Sequence, residues 1–404
     1  MEFVFTDEQN MIRDTAESFL QEVSTSAAIR DAMATERGYD PALWQTVCTD
    51  LVWQAIHTPE DCGGLGLGYV ELVAMQEQMG RFLFCSPYFS SVCLGINALL
   101  VAGSAQQQQQ YLPEFCAGKT ATLAFAGAAA AARGGRWDVA TVDATFTTQG
   151  EHYQLNGSYE FVTDGASADY LILAARDAAS QADEGIHLFI AAADTKGIER
   201  ELLPTMDQTR KWARIKLNNV RLPKASMLGD ESKAAERNGA QSLAVILDLA
   251  TIALAAEQMG GAQQLLDMTV AYSKERNQFG RAIAGFQAIK HKAADMMLRV
   301  EVARSGVYYA ACVAEESLQA LQAGTPVDRA ALQEAASVAK AYCSDAFFKN
   351  AGEAIQIHGG VGFSWEYDVH LYFKRAKASE QFLGTGAWHR ERLAALLLDG
   401  EGVL

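Results

Sequence analysis

Residues 275–287 read ERNQFGRAIAGFQ, and this stretch decides the fold. It lies between two long apolar runs of helical spacing, Ser242 to Tyr272 and Phe286 to Ala323. Between them come an arginine, amides, a Phe-Gly turn and a Phe-Gln pair. Arg276 offers a planar fork of donors that suits a phosphate. Gly280 allows a sharp turn or the close approach of a ligand. Gln287 opens the second run and points an amide into the same corner. A second glycine cluster, QIHGGVGF from Gln356 to Phe363, closes a further apolar run. Its glycines permit positive φ and present N–H groups to an anion. Taken singly, each cluster is equally consistent with a helix stop.

Working outward, Thr325-Pro326 breaks the chain before a third run, Val327 to His358, and Trp388 to Leu398 makes a short fourth. Four such helices pack as a bundle. Upstream of about Gly229 the texture is different. ATLAFAG, DYLILAA, IHLFIAA and TRKWARIKLNNVRL read as strands, and Asn156-Gly157 is a hairpin signal. Before Thr120 the pattern is helical again, starting from a cap at Thr6-Asp7-Glu8-Gln9. CGGLGLG (Cys62 to Gly68) has no strand before it and no Lys-Ser/Thr after it, so it reads as a link between helices and not a phosphate loop. The expected class is α+β: a helical domain over 1–119, a β-domain over 120–229 and a C-terminal four-helix bundle over 230–404.

With 404 residues the chain can bury a large core. A net charge of −16 argues against sequence-independent nucleic-acid binding and against docking on anionic membranes. Any anionic ligand must therefore be held by local arginines and backbone donors. The acidic N-terminus is unlike a signal peptide. Seven cysteines without metal spacing read as reduced thiols of a cytoplasmic protein. No metal is expected.

The order of helices, strands and helices, together with FTDEQNMIRDTAESF, PEDCGGLGLGYVELVAMQEQMGR and both glycine clusters, resembles the acyl-CoA dehydrogenase superfamily along nearly the whole chain. The resemblance implies FAD between β-domain and bundle, an acyl-CoA substrate, and an electron-transfer flavoprotein as acceptor. It implies α-proton removal by a carboxylate, hydride transfer to the flavin, and a homo- or hetero-oligomer such as a dimer of dimers. Arg276, Gln278, Phe279 and Gln287 match the arm that holds the FAD pyrophosphate and adenine in a neighbouring subunit. Gln356, Gly359 and Gly360 match its second half. Phe161 and Thr163 match the residues beside the flavin ring, Thr385 the threonine after the catalytic glutamate, and Asp248 an aspartate that contacts CoA.

Three departures stand out. The glutamate before Gly-Thr is Leu383, which keeps a backbone N–H for the thioester carbonyl but has no base. The alternative base position is Ala250. Asp248 is two residues away on a helix, so it faces elsewhere, and Glu257 shares Ala250's face about 10 Å along the axis. Glu380 is the remaining candidate base, its competing reading being a salt bridge with Lys374, Arg375 or Lys377. The loop Phe125 to Gly135 (FAGAAAAARGG) lacks the flavin-binding hydroxyl at Ala126 and a clear phosphate-facing serine. These losses fit a hetero-oligomer in which this chain supplies the adenine arm. The segment HGGVGFSWEYDVHLYFKRAK resembles the subgroup acting on bulky or steroid acyl-CoA esters, with His358, Trp365 and His370 as packing or interface residues. Two alternatives stay open. One is a homo-oligomer with an unusual base or an unusually acidic substrate; the other is an inactive member kept for assembly or binding.

Overall fold

Thr6 caps the first helix as its sequence suggests. Its hydroxyl accepts from the Gln9 N–H at 3.2 Å while Gln9 Oε1 accepts from the Thr6 N–H at 3.1 Å. The computed structural model describes residues 5–127, 135–180, 183–229 and 238–399. Helices α1 (Asp7–Val23), α2 (Ser26–Ala34), α3 (Pro41–Thr49) and α4 (Tyr69–Arg81) come first. A π-helical turn at Phe89–Ile96 then leads into α5 (Asn97–Ala102), and α6 (Ala105–Cys116) follows. The glycine-rich segment before α4 does link helices: Leu65, Gly66 and Leu67 donate to carbonyls of Ala55, Thr58 and Ile56.

Among the described residues seven strands follow: β1 (Ala121–Ala124), β2 (Thr145–Gln149), β3 (His152–Thr163), β4 (Tyr170–Asp177), β5 (Ile186–Ala192), β6 (Ile198–Leu202) and β7 (Trp212–Pro223). They form one sheet in the order β1-β4-β2-β3-β7-β6, with β5 on the other edge of β4. The expected hairpin at Asn156-Gly157 is absent. The β2–β3 turn falls at Gly150-Glu151, with φ of 58° at Gly150, and β3 runs on through Asn156-Gly157 with a bulge. A residue with a Cβ at Gly157 would meet Ala144 Cα at 2.7 Å, so this glycine serves strand packing and not a turn.

Helix α7 (Gly239–Glu275) has 37 residues, roughly 55 Å of axis, and is buried almost continuously from Leu243 to Ala262. By length and composition it could cross a membrane, but 83% of its most apolar window is buried inside the protein. A Cβ at Gly80 would lie 2.0 Å from Glu257 O and one at Gly260 1.9 Å from Glu77 O, so only glycine lets α4 and α7 cross this closely. Helices α8 (Gln287–Gln322), α9 (Arg329–His358), α10 (Val369–Gln381) and α11 (Gly386–Ala394) follow, the last running into a π-helical turn at Ala395–Asp399. Helix α10 escapes the sequence reading because its buried face carries His370, Arg375 and Ser379, which hide the apolar period.

Candidate functional site

The decisive stretch is a two-strand hairpin. β8 (Asn277–Gln278) pairs with β9 (Arg281–Ala282) across Phe279-Gly280, whose φ values are 53° and 79°. Two consecutive positive φ values define the tight turn that a two-residue hairpin favours. Glycine takes one of them freely. Phe279 holds the other with its ring 91% exposed. A large apolar ring in a strained conformation at an exposed tip is poised for an outside partner. The Arg281 guanidinium lies 4.2 Å from the centre of the Phe286 ring and stiffens the base of the hairpin. Arg276, Gln278 and Gln287 are all exposed along it.

The second glycine cluster sits beside it. Tyr272, one turn before the hairpin, stacks on His358 at 4.2 Å, and its hydroxyl donates to the His358 carbonyl. Gly359 follows with φ of 64°. Gln356, Gly359 and Gly360 are exposed on either side of His358, which itself packs on the last turns of α7 just before the hairpin. His358 and His370 are packing residues, His370 lying edge-on to Trp365 at 4.8 Å.

On the sheet side, Phe161 has φ of 52° at a bulge and is 43% exposed. Thr163 is buried and its hydroxyl has no partner among the described residues. An orphaned hydroxyl beside an exposed ring fits a planar, hydrogen-bonding cofactor such as a flavin. Thr385 caps α11, accepting from the Trp388 N–H at 3.2 Å, which leaves its own hydrogen to donate. Most of the altered loop, residues 128–134, lies outside the described residues, so the loss of its serine is read from sequence alone.

Leu383 stands at the corner between α10 and α11 with φ of 55°. Its N–H has no partner among the described residues. Its side chain is buried with Phe382, whose ring packs edge-on against Trp137 at 5.2 Å and Trp212 at 4.7 Å. The candidate base Glu380 pairs with Lys377 at 2.7 Å, the competing reading of the sequence. Asp248 is paired within the chain: its two oxygens accept from Arg392 at 2.9 and 3.3 Å, and it is 1% exposed. Glu257 is held by Arg210, by Arg375 at 2.8 Å and by Gln76 at 3.0 Å. Burial pushes its carboxyl up, but the two guanidinium groups outweigh burial and hold it below the ordinary range.

Three buried groups, two of them behind this corner, escaped the sequence reading. Lys340 is fully buried and donates to the carbonyls of Ser379 at 3.0 Å, Glu380 at 3.3 Å and Gly384 at 2.9 Å, and to the Ser344 hydroxyl. Burial pushes its ammonium down to about 7. His389 donates from Nε2 to the Leu383 carbonyl at 2.8 Å, which leaves Nδ1 to accept from Ser337. Burial, Lys340 and Arg392 keep it neutral. Asp164, directly after Thr163, is buried with φ of 53° and accepts from Ser90 at 2.7 Å. Burial lifts its carboxyl to about 6, against the pull of Ser90, Arg210 and Arg375. The first two were invisible because a lysine or histidine in an apolar helical run reads as surface, and Asp164 because Thr-Asp-Gly reads as a turn.

Comparison with known proteins agrees with this arrangement. Residues 6–119 match the model of the acyl-CoA dehydrogenase N-terminal domain and residues 237–398 that of the C-terminal domain. The chain is 32% identical over 392 residues to the acyl-CoA dehydrogenase IpdE2 of Mycolicibacterium smegmatis, covering 96% of this chain and 99% of that one. It is 28% identical over 405 residues to the caffeyl-CoA reductase-Etf complex subunit CarC of Acetobacterium woodii, covering 98% and 99%. A chain of the ChsE4-ChsE5 complex from Mycobacterium tuberculosis superposes with a TM-score of 0.84 at 26% identity, covering 98% of this chain and 99% of that one.

Proposed function

Because the chain belongs to the acyl-CoA dehydrogenase family, whose cofactor is FAD, we propose that it acts as one subunit of a hetero-oligomer that desaturates an acyl-CoA thioester between its α- and β-carbons. In this assembly it supplies the arm for the pyrophosphate and adenine of FAD. The partner supplies the carboxylate that takes the α-proton. One observation carries the reading: the base position holds Leu383, while the hairpin is fully presented, with Phe279 91% exposed. The carboxylates lining the Leu383 cleft, Asp248 and Asp138, are both engaged, Asp248 by Arg392 and Asp138 by Arg136 and the Ala140 N–H.

Arg276, Gln278, Phe279, Gln287, Gln356, Gly359 and Gly360 would grip the nucleotide half of FAD. Phe161, Thr163 and Thr385 would meet a flavin held by this chain itself. FAD, when bound, accepts the hydride from the β-carbon. What this chain does for that step is to orient the cofactor and keep water out. Support for a mixed assembly comes from the structural likeness to a member of a two-chain complex. Likeness to a subunit of an Etf-containing complex supports an electron-transfer flavoprotein as acceptor.

Co-expression with a family member encoded beside it tests the proposal. A stable complex containing FAD is expected, and Arg276→Ala and Phe279→Ala should each strip FAD from it without dispersing it. An arm that loses both residues with no change in flavin content would refute the assignment.

A further inference from the structure

The cleft at Leu383 joins the two residues that family likeness assigns to substrate: Leu383 for the thioester carbonyl and Asp248 for CoA. Its walls are Ala244, Leu247 and Thr251 of α7 on one side, with Trp388 and Arg392 of α11 and the segment Trp137–Val139 on the others. Inside, the centre of a water molecule has only about 10 Å³ to move in. That is room for a single water. Pockets for organic ligands span roughly 300–1,000 Å³.

Each wall is fixed. Arg392 meets Asp248 end-on through two hydrogen bonds and also reaches Ser337 at 3.3 Å. Its guanidinium carbon lies 4.9 Å from the centre of the Trp388 ring. That ring sits over Gly384, where a Cβ would fall 2.3 Å from Trp388 Cε3. From the opposite side Trp137 packs between Phe125 at 5.9 Å and Phe382 at 5.2 Å. To open the cleft, Arg392 would have to leave a carboxylate that is 1% exposed, and an uncompensated buried charge is strongly unfavourable.

We propose that Trp388, the Arg392–Asp248 pair and Trp137 form a plug that closes this chain's own thioester cleft, so that acyl-CoA binds only in the partner subunit. The plug rests on the mixed-assembly reading and deepens it: among the described residues, this cleft offers neither a free carboxylate nor room for a substrate. The three-part closure assigns a reason to Trp388 and Arg392, which a chain that merely lost its glutamate would not need.

Calorimetric titration of the full-length chain with free CoA and with octanoyl-CoA tests this. Wild type is expected to bind neither up to about 1 mM, the upper end of ordinary enzyme–substrate constants. Trp388→Ala should bind at least about tenfold more tightly than wild type. Trp137→Ala, on the other wall, serves as the second variant should Trp388→Ala not fold, melting curves providing the check. Binding of either ligand by wild type, or no gain in a folded variant, overturns the plug. Failure of the underlying reading looks different. Octanoyl-CoA that binds wild type and leaves bound flavin oxidised refutes the plug alone, whereas bleaching of the flavin of the lone chain refutes the mixed assembly as well.

Discussion

Replacing Lys340 by methionine should change how stability depends on pH in a way set by one buried ammonium. Lys340 is fully buried, and its contacts are three backbone carbonyls and a hydroxyl, with no carboxylate among them. Burial lowers it from 10.5 to about 7, with Cys343, Glu380 and Asp345 pulling weakly the other way. The sign follows from proton uptake. Between pH 7 and 10.5 the unfolded chain holds a proton that the folded chain has released, so this group makes stability rise with pH across that window. Below pH 7 both states are charged and the full cost of burying the ammonium applies. From pH 7 to pH 9 the wild-type stability minus that of Lys340→Met should grow by about 2 kcal/mol, using 1.36 kcal/mol per unit of separation. Methionine has nearly the same shape and no charge, so packing largely cancels in the difference. Neighbouring Cys343 is held up to about 12 and does not titrate in this range. Urea unfolding at pH 6, 7, 8 and 9, followed by tryptophan fluorescence, reads the difference directly. A difference that stays flat from pH 7 to 9, or falls, would refute the argument.

His57 is fully buried against Asn97, and burial lowers it to about 4. Its stabilising contribution is complete above pH 6.5 and is lost as pH falls toward 4, a change of about 3 kcal/mol that His57→Gln should remove from the acid limb of a stability profile. Arg375 pairs with Asp207 at 2.9 Å and Glu257 at 2.8 Å, all three nearly inaccessible. Arg375→Ala should therefore cost about 3–5 kcal/mol in denaturant melts, and adding Glu257→Gln should cost less than the sum. Phe279→Ala should leave the stability of the isolated chain within about 0.5 kcal/mol, because the ring touches little, while the FAD content of the complex falls.

The sequence shows the large features of the fold because they rest on period and punctuation. The run from Ser242 to Tyr272, the turn at Phe279-Gly280 and the helix opening at Gln287 all lie where residue type implies. The readings that failed depended on contacts distant in sequence. Asn156-Gly157 has turn chemistry, but the approach of Ala144 and pairing with β7 keep it inside a strand. Helix α10 was missed because Arg375 is buried by two carboxylates more than 100 positions away in sequence. In the site, the exposed hairpin was legible, since Phe279-Gly280 carries its turn chemistry locally. The pairing of Asp248 with Arg392 was not, since it joins α7 to α11 across 144 positions. Trp388 and Lys340 likewise acquire their roles only from the corner they pack against.

The central claim is that this chain lacks a base of its own. Titrating the purified chain, reconstituted with FAD, with a panel of acyl-CoA esters while recording flavin absorbance tests it most directly. The account predicts that no ester bleaches the flavin of the lone chain and that bleaching appears once the partner subunit is added. Stoichiometric bleaching without a partner would contradict it.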